Sequence, residues 1–438
     1  MKKILILLTV FLVGCGSTNI KEEEAKVVKN EKSNQITLTN TAHLDSLYEQ
    51  ISLEDGTKIG AIHIYSEYPD YKWIKDPIEG VACIDDVTRA GVFYFNYYKS
   101  TGAQDSLKKV KELAEFTLHL QDENGYFNNF IYSDGTVNTT YKTSVAEPNW
   151  WTWRAVWFLS HIYKDIETVD SDLAIRIKEA LDRSVGVIKK DLKLDGKIEY
   201  ENGIEIAGWL PNDGADQSSI LILGLTNYYK FTGDKEVAQM ILRLGEGLMV
   251  MQVKDKKAET YGALLSWKNI WHAYGNSQAY ALLTAGEAIG NRDMMLAGFQ
   301  EIDNFHKYLI DSGFINWFSL KKEKGTYGFA EKDKFSQIAY GMRPLIYANL
   351  KAYEISRDET YIKQAVEISK WFFGNNSAAI NMYDIKTGRT FDGIDNADKY
   401  NKNSGAESTI EGLLSILAIE QNKIAKETLM KYLEEKNK

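Results

Sequence analysis

Apolar helical runs begin near Ile84, Glu147, Gly214, His272, Gln337 and Ala406, at steps of roughly 60–70 residues. Each is followed by a turn and a second, more one-sided run. The junctions resemble one another: "YYKSTGAQDSL", "YYKFTGDKEVA", "AGEAIGNRDMM" and "AYEISRDETYI". Each has a helix end, a polar turn and an acidic or amide residue placed to cap the next helix. First runs such as "SSILILGLTNYY" are apolar nearly all round, the mark of a helix buried on every side. In the first pair, the second run carries a single stripe, Leu107, Val110, Leu113, Phe116 and Leu120. Six hairpins with the first helix inside and the second outside make a closed double ring, an all-α fold. A tetratricopeptide-like array would need a period of about 34 residues, nearly half that seen. The five prolines are not expected to interrupt the runs deeply. The links from each outer helix to the next inner one are long and rich in Gly, Asn and aromatics, as in "DENGYFNNFIYSDG" and "SGFINWFSLKKEKGTYG". Their alternation predicts short β-hairpins crowding one rim, where sites usually lie.

Upstream of the repeat, Lys2 and Lys3 precede an apolar run from Ile4 to Val13 that stops at Gly14-Cys15. This reads as a secretory signal, too short to span a membrane. Leu12-Val13-Gly14-Cys15 resembles the bacterial lipobox, which implies lipidation at Cys15. Gly16 to Asn34 is polar and charged, a tether with nothing to bury. The chain thus divides into a leader (1–15), a disordered tether and amino-terminal extension (16–60), and a helical catalytic domain (61–438). Cys83 is the only other cysteine, so a lipidated Cys15 leaves no intrachain disulfide. A net charge of −9 without a basic cluster in the mature chain argues against a nucleic-acid partner.

Two segments carry a resemblance: "WFFGNNSAAINMYDIKTGRTFDGID…NSGAESTIEGLL" (371–414) and "CIDDVTRAGVFYF" (83–95). They look like parts of the six-hairpin, or (α/α)6-toroid, superfamily of carbohydrate-active enzymes. The resemblance spans essentially everything after residue 60. It implies a toroid and an oligosaccharide substrate, in a lipoprotein of a Bacteroidetes-like polysaccharide-degradation system. The anchor is then expected in the outer membrane, facing the periplasm. Toroids host several chemistries, so the fold does not name the reaction.

The inner runs open on polar groups: Asp85 and Asp86, Glu147, Asp213 and Asp216, His272, and Glu407. Capping explains any one of them, since acids suit helix starts. Their shared position places them together around a central funnel. Trp150, Trp151, Trp153, Trp209, Trp267, Trp271, Tyr274 and Trp317 offer faces for sugar stacking or for core packing. Trp150 and Trp151 diverge by about 100° on a helix and cannot fill one slot. Arg154 is expected on one helix face with Glu147, and Tyr340 beside Arg343.

β-Elimination next to a uronate needs a carboxylate neutraliser, a base and an acid. Polysaccharide lyases of the toroid superfamily that the chain resembles commonly give these jobs to Asn, His, Tyr and Arg. By residue type and rim position that resemblance implies Asn269, Asn276, His272, Tyr274, Tyr340 and Arg343, with the two asparagines and Gln278 among the substrate contacts. Such a lyase or dehydratase takes an acidic oligosaccharide and leaves an unsaturated uronate. Hydrolysis needs instead two carboxyls, drawn from Asp86, Glu147, Asp213 and Glu407. Both chemistries stay open, and a non-catalytic glycan-binding role stands as the third reading. No cofactor is called for. The histidines at 43, 63, 119, 161, 272 and 306 lack zinc spacing, and "DGIDNAD" offers oxygens to calcium without the EF-hand pattern. Cys83 reads as a small buried hydrophobe.

Overall fold

The computed structural model describes residues 37–436. The leader, Cys15 and the tether lie outside the described residues. The chain enters through α1 (Ala42–Leu47) and a hairpin of β1 (Tyr48–Ser52) and β2 (Lys58–Ile62). A second hairpin follows, β3 (Tyr65–Glu67) with β4 (Lys72–Ile74). Residues 38–60 pack against the helical ring that follows them. Leu38, Leu44, Leu47, Ile51 and Ile59 are buried in the same core as the helices. The Glu420 carboxylate accepts the Leu38 and Thr39 N–H groups, at 3.0 Å each. The compact unit begins at Leu38, because the apolar residues resume there after the polar stretch.

The strand β5 (Ala82–Cys83) leads into the first helical pair, α2 (Ile84–Thr101) and α3 (Gln104–His119). The link to the next pair contains β6 (Phe130–Ile131) and β7 (Val137–Asn138). There follow α4 (Trp150–Val169) with α5 (Ser171–Asp191), the hairpin β8 (Ile198–Glu201)–β9 (Ile204–Ala207), and α6 (Ala215–Thr232) with α7 (Lys235–Val250). Next come β10 (Ile270–His272), α8 (Gln278–Ile289) and α9 (Arg292–Gln300). A π-helical turn, Glu301–His306, joins α9 to α10 (Lys307–Asp311). The long hairpin β11 (Trp317–Glu323)–β12 (Thr326–Asp333) precedes α11 (Ala339–Ser356) and α12 (Glu359–Ser369). Two short hairpins, β13 (Tyr383–Asp384)–β14 (Arg389–Thr390) and β15 (Gly393–Asn396)–β16 (Lys399–Asn401), lead to α13 (Ala406–Gln421) and α14 (Lys423–Lys436).

The inner helices pack in sequence, α2 on α4, α4 on α6, α6 on α8, α8 on α11, α11 on α13, and α13 back on α2. Each outer helix packs on its own inner partner. The ring is closed. This is the (α/α)6 toroid, and an open solenoid is excluded because α13 meets α2.

The repeating junctions have one physical origin. Gly102, Gly233 and Gly290 end three inner helices with φ of 73°, 67° and 70°, a left-handed cap that glycine adopts freely. Arg357 takes that place after α11, at φ 63°. Asp234, Asn291 and Asp358 then cap the following outer helices with their side chains.

Two inner helices start later than expected. α4 opens at Trp150, capped by the Asn149 side chain, because Pro148 pushes Glu147 toward extended backbone. The fourth inner helix opens at Gln278, and His272 ends a strand instead. Gly275, at φ 66°, makes the turn between them. Pro344 falls inside α11, in its second turn. It withholds only the N–H that Tyr340 O would have accepted.

Candidate active site

All six inner helices start at the rim that carries the β-hairpins. On this rim β10 pairs antiparallel with β11, setting His272 opposite Trp317 and Trp271 opposite Phe318. Alternation along β10 sends Trp271 inward, where it stacks on Phe318 with centroids 5.3 Å apart. His272 and Ile270 therefore face the other way, into a cleft of about 650 Å³. Trp150, Trp267, Trp317 and Tyr274 wall this cleft, with Asn149, Asn212, Gln217 and Asn316 as its amides. Trp267 donates its indole N–H to Asn212 O at 3.2 Å, which fixes the ring with 41% of the residue exposed. Asn212 is itself in left-handed backbone, φ 51°, directly under that tryptophan.

His272 is held at both ring nitrogens. Its Nδ1 lies 2.8 Å from Tyr274 O, a group that only accepts, so Nδ1 carries hydrogen. Its Nε2 lies 2.8 Å from the buried Asp216 Oδ2. Both ring nitrogens are thus engaged within the protein. The Tyr274 ring covers the imidazole, 3.8 Å away at 12°. Burial raises the pKa of the Tyr274 phenol, and the nearby Asp216 charge adds to that.

Beside the cleft lies a lattice of arginines and carboxylates. Arg89, 2% exposed, donates to Asp86 at 2.6 Å, to Glu411 at 3.1 Å and to Glu407 at 3.2 Å. Arg343 holds Glu411 at 2.5 Å, with both side chains buried. Arg154 contacts Asp85 at 2.6 Å and donates to the Tyr340 hydroxyl at 2.7 Å. Three guanidinium carbons, of Arg89, Arg343 and Arg154, sit 4.9, 5.3 and 5.5 Å from the Tyr340 ring centre. Arg154 also lies 5.1 Å from the Trp150 ring, which joins the lattice to the cleft wall. Gly275 seals that seam: a Cβ there would come within 3.1 Å of Trp150 and 3.2 Å of the Tyr340 hydroxyl.

The four carboxylates differ in access. Glu411 is closed off and Asp86 is 4% exposed, while Asp85 is 22% and Glu407 47% exposed at the side chain. The Glu407 side chain is open to solvent on one side and desolvated by the protein packed around it. That desolvation raises its carboxyl above the ordinary glutamate value, against the opposing pull of Arg89. Burial likewise raises Asp86, again against Arg89. Cys83 gives its S–H to Asp86 at 3.2 Å and is pushed well up by burial, so it is an inert thiol.

Of the residues expected at the site, Trp150, Asp216, Trp267, His272 and Tyr274 line the cleft, and Arg154, Glu407, Tyr340 and Asp86 belong to the lattice. Several others do not reach it. Glu147 is exposed before α4 and bonded to Asn149, and Arg154 takes Asp85 rather than Glu147. Asp213 ends a 3-10 turn (Pro211–Asp213) outside the cleft lining. Trp151 turns inward and donates to Val145 O. Asn269, Asn276 and Gln278 are buried donors to the carbonyls of Leu320, Leu264 and Leu265, stitching the rim loops together. Arg343 sits within the lattice, 1% exposed and paired to Glu411. In "DGIDNAD", Asp392 accepts from Gly405 N–H and Ser408 Oγ, so its side chain is already used.

Arg89, Asp85 as a partner of Arg154, and Glu411 escaped the sequence reading as site residues. Asp86 with Arg89 at i, i+3 and Glu407 with Glu411 at i, i+4 were visible spacings, but their meeting depends on α13 closing against α2. At the opposite mouth lies a second cavity of about 420 Å³, among Asn96, His161, Tyr280 and Tyr347. There burial lowers His161 to about 4, and Lys351 is taken by Glu287 and Glu354.

No family model matches the chain, and no curated protein matches it in sequence. Solved structures share the fold. One is a cellobiose 2-epimerase from Spirochaeta thermophila, TM-score 0.60 and 11% identical, covering 90% of this chain and 97% of that one. Another is a sugar epimerase from a ruminal bacterium, TM-score 0.58 and 14% identical, covering 91% and 100%. A third is a family 76 glycoside hydrolase from a bovine Bacteroides thetaiotaomicron strain, TM-score 0.52 and 13% identical, covering 87% and 76%.

Proposed function

We propose that this protein hydrolyses glycosidic bonds in a neutral oligosaccharide, with Glu407 as general acid and Asp85 as the opposing carboxylate. One observation carries the reading. Of four carboxylates held by buried arginines, Glu407 is the one most open to solvent, and its carboxyl is raised. A raised, accessible carboxylic acid is what protonation of a leaving glycosidic oxygen requires, while Asp85 acts on the anomeric carbon or on a water beside it. Arg154 holds Asp85 in place, and the four aromatic rings of the cleft stack on sugar faces. Sugar epimerases and glycoside hydrolases of the same fold support a carbohydrate substrate.

The substrate is neutral on this reading, because the cleft lining contains no Lys or Arg and each lattice arginine holds a carboxylate. Elimination from a uronate has weaker support: His272 has no free nitrogen and Arg343 is shut away. A binding module would have no use for the arginine–carboxylate lattice behind an open acid. The leader and Cys15 support a lipid anchor in the outer membrane, facing the periplasm. Fatty-acid labelling that persists in Cys15→Ala would overturn the anchor.

The test is a panel of neutral and uronate-containing oligosaccharides with products read by mass spectrometry. Cleavage that adds one water, about 18 Da, to a neutral substrate supports the proposal. An unsaturated product, or binding without any product, overturns it.

A further inference from the structure

We infer that the finger β3–β4 is a second glycan-binding platform, centred on Trp73, for the polymeric form of the substrate proposed above. The inference rests on that reading for the chemistry of its ligand. Among the described residues thirteen large apolar side chains are exposed, and five of them, Tyr65, Tyr68, Trp73, Ile74 and Ile78, lie within fourteen residues. The register pairs Tyr65 with Ile74 and Ser66 with Trp73. The finger therefore offers apolar groups on both faces, which core packing does not explain.

Trp73 is held as a flat, rigid ring. His63 backs one face, with centroids 3.8 Å apart and planes at 11°, and Glu49 fixes that imidazole at 2.8 Å. The indole N–H is donated to Ser46 O at 2.8 Å, and 39% of the residue remains open. Trp267 in the cleft is built the same way: an indole N–H tied to a backbone carbonyl with the ring still exposed. A ring locked in this manner loses little entropy when a sugar stacks on it.

Position and charge settle the ligand. The base of the finger bonds to both neighbours of the carboxylate site, since Ile64 N–H donates to Val81 O and Ala406 N–H donates to Ile64 O. It thus rises between the start of α2, with Asp85, and the start of α13, with Glu407. Residues 65–79 carry Glu67, Asp70, Asp76 and Glu79 against Lys72 and Lys75. That acidic balance disfavours an anionic lipid surface or an anionic polysaccharide and suits a neutral chain.

The experiment is native affinity electrophoresis of the full chain through gels containing a soluble neutral polysaccharide that the enzyme cleaves. Titration with a short oligosaccharide of the same linkage is run beside it. Trp73→Ala is expected to weaken polymer retention about two- to tenfold, with a much smaller effect on short-chain affinity, and Trp73→Phe to recover part of it. Trp267→Ala is expected to weaken the short-chain affinity. Should Trp73→Ala misfold, Trp73→Phe with partial loss of retention supports the platform and full retention opposes it. Unchanged retention in both variants overturns the platform and leaves hydrolysis standing. So does light scattering that shows Trp73→Ala dissociating a dimer of this chain. A wild-type protein that neither binds nor cleaves any neutral glycan overturns the functional reading itself.

Discussion

Replacing Arg89 with methionine strips the lattice of its central cation. Arg89 is 2% exposed, and its partners Asp86 and Glu411 are 4% and 0% exposed. Glu411 keeps Arg343, so the stranded charge is Asp86. Removing one partner of a buried pair costs about 3–5 kcal/mol, because the other charge stays uncompensated. The contact to Glu407, half open to solvent, adds under about 1 kcal/mol. Urea unfolding of Arg89→Met should therefore show a loss of about 3–5 kcal/mol at neutral pH. The sign with pH follows from burial. Asp86 is already raised in the folded protein and rises further without Arg89, so its protonated form fits the folded state better than its charged form. The contribution of that neutral acid is intact below the unfolded aspartate value and lost as pH climbs through the folded one. The penalty should accordingly be smallest in acid and grow toward neutrality. Adding Asp86→Asn to Arg89→Met should recover much of the loss. A penalty under about 1 kcal/mol, or a double variant no more stable than the single one, would refute the reasoning.

Three further outcomes follow from named contacts. Glu301 is buried in the π-helical turn, where burial raises its carboxyl to about 8 against the pull of the Leu264 N–H. Its protonated state favours folding below the unfolded value near 4.5 and that contribution is lost up to about 8, so Glu301→Gln should raise the melting temperature at pH 8.5 and change it little at pH 4.5. Gly275→Ala forces a side chain into φ 66° against Trp150 and Tyr340, and should cost about 1–2 kcal/mol in denaturant melts while weakening oligosaccharide affinity. His272→Ala removes the tie from β10 to Asp216. Steady-state kinetics should show KM rising while kcat stays within about tenfold, since a residue that moves the proton itself would cost about 10²–10⁴.

The toroid was legible because its signal is periodic. All-round apolar first runs and one-sided second runs survive as buried and half-buried helices, and the glycine-plus-cap junctions recur in place. The site was half legible. Rim position correctly grouped Trp150, Trp267, Asp216, His272 and Tyr274, since residues before inner helices share one mouth whatever their local structure. Their roles were not legible. That His272 lies on a strand follows from pairing with Trp317, some forty-five residues on, which no local pattern encodes. Tyr340 and Arg343 sat together as their spacing implied, yet their partners Arg154 and Glu411 come from other helices, and those partners decide that both are enclosed.

The central claim is that Glu407 delivers a proton to the leaving oxygen. It is tested most directly by measuring kcat/KM of wild type and Glu407→Gln on two substrates of the same sugar: an oligosaccharide, and an aryl glycoside whose phenolate leaves without protonation. The account predicts a loss of about 10²–10⁴ on the oligosaccharide and within about tenfold on the aryl glycoside. It also predicts that the fall in wild-type activity with rising pH, as Glu407 ionises above the ordinary glutamate range, disappears in the variant. Equal losses on both substrates, or full activity of Glu407→Gln on the oligosaccharide, would contradict it.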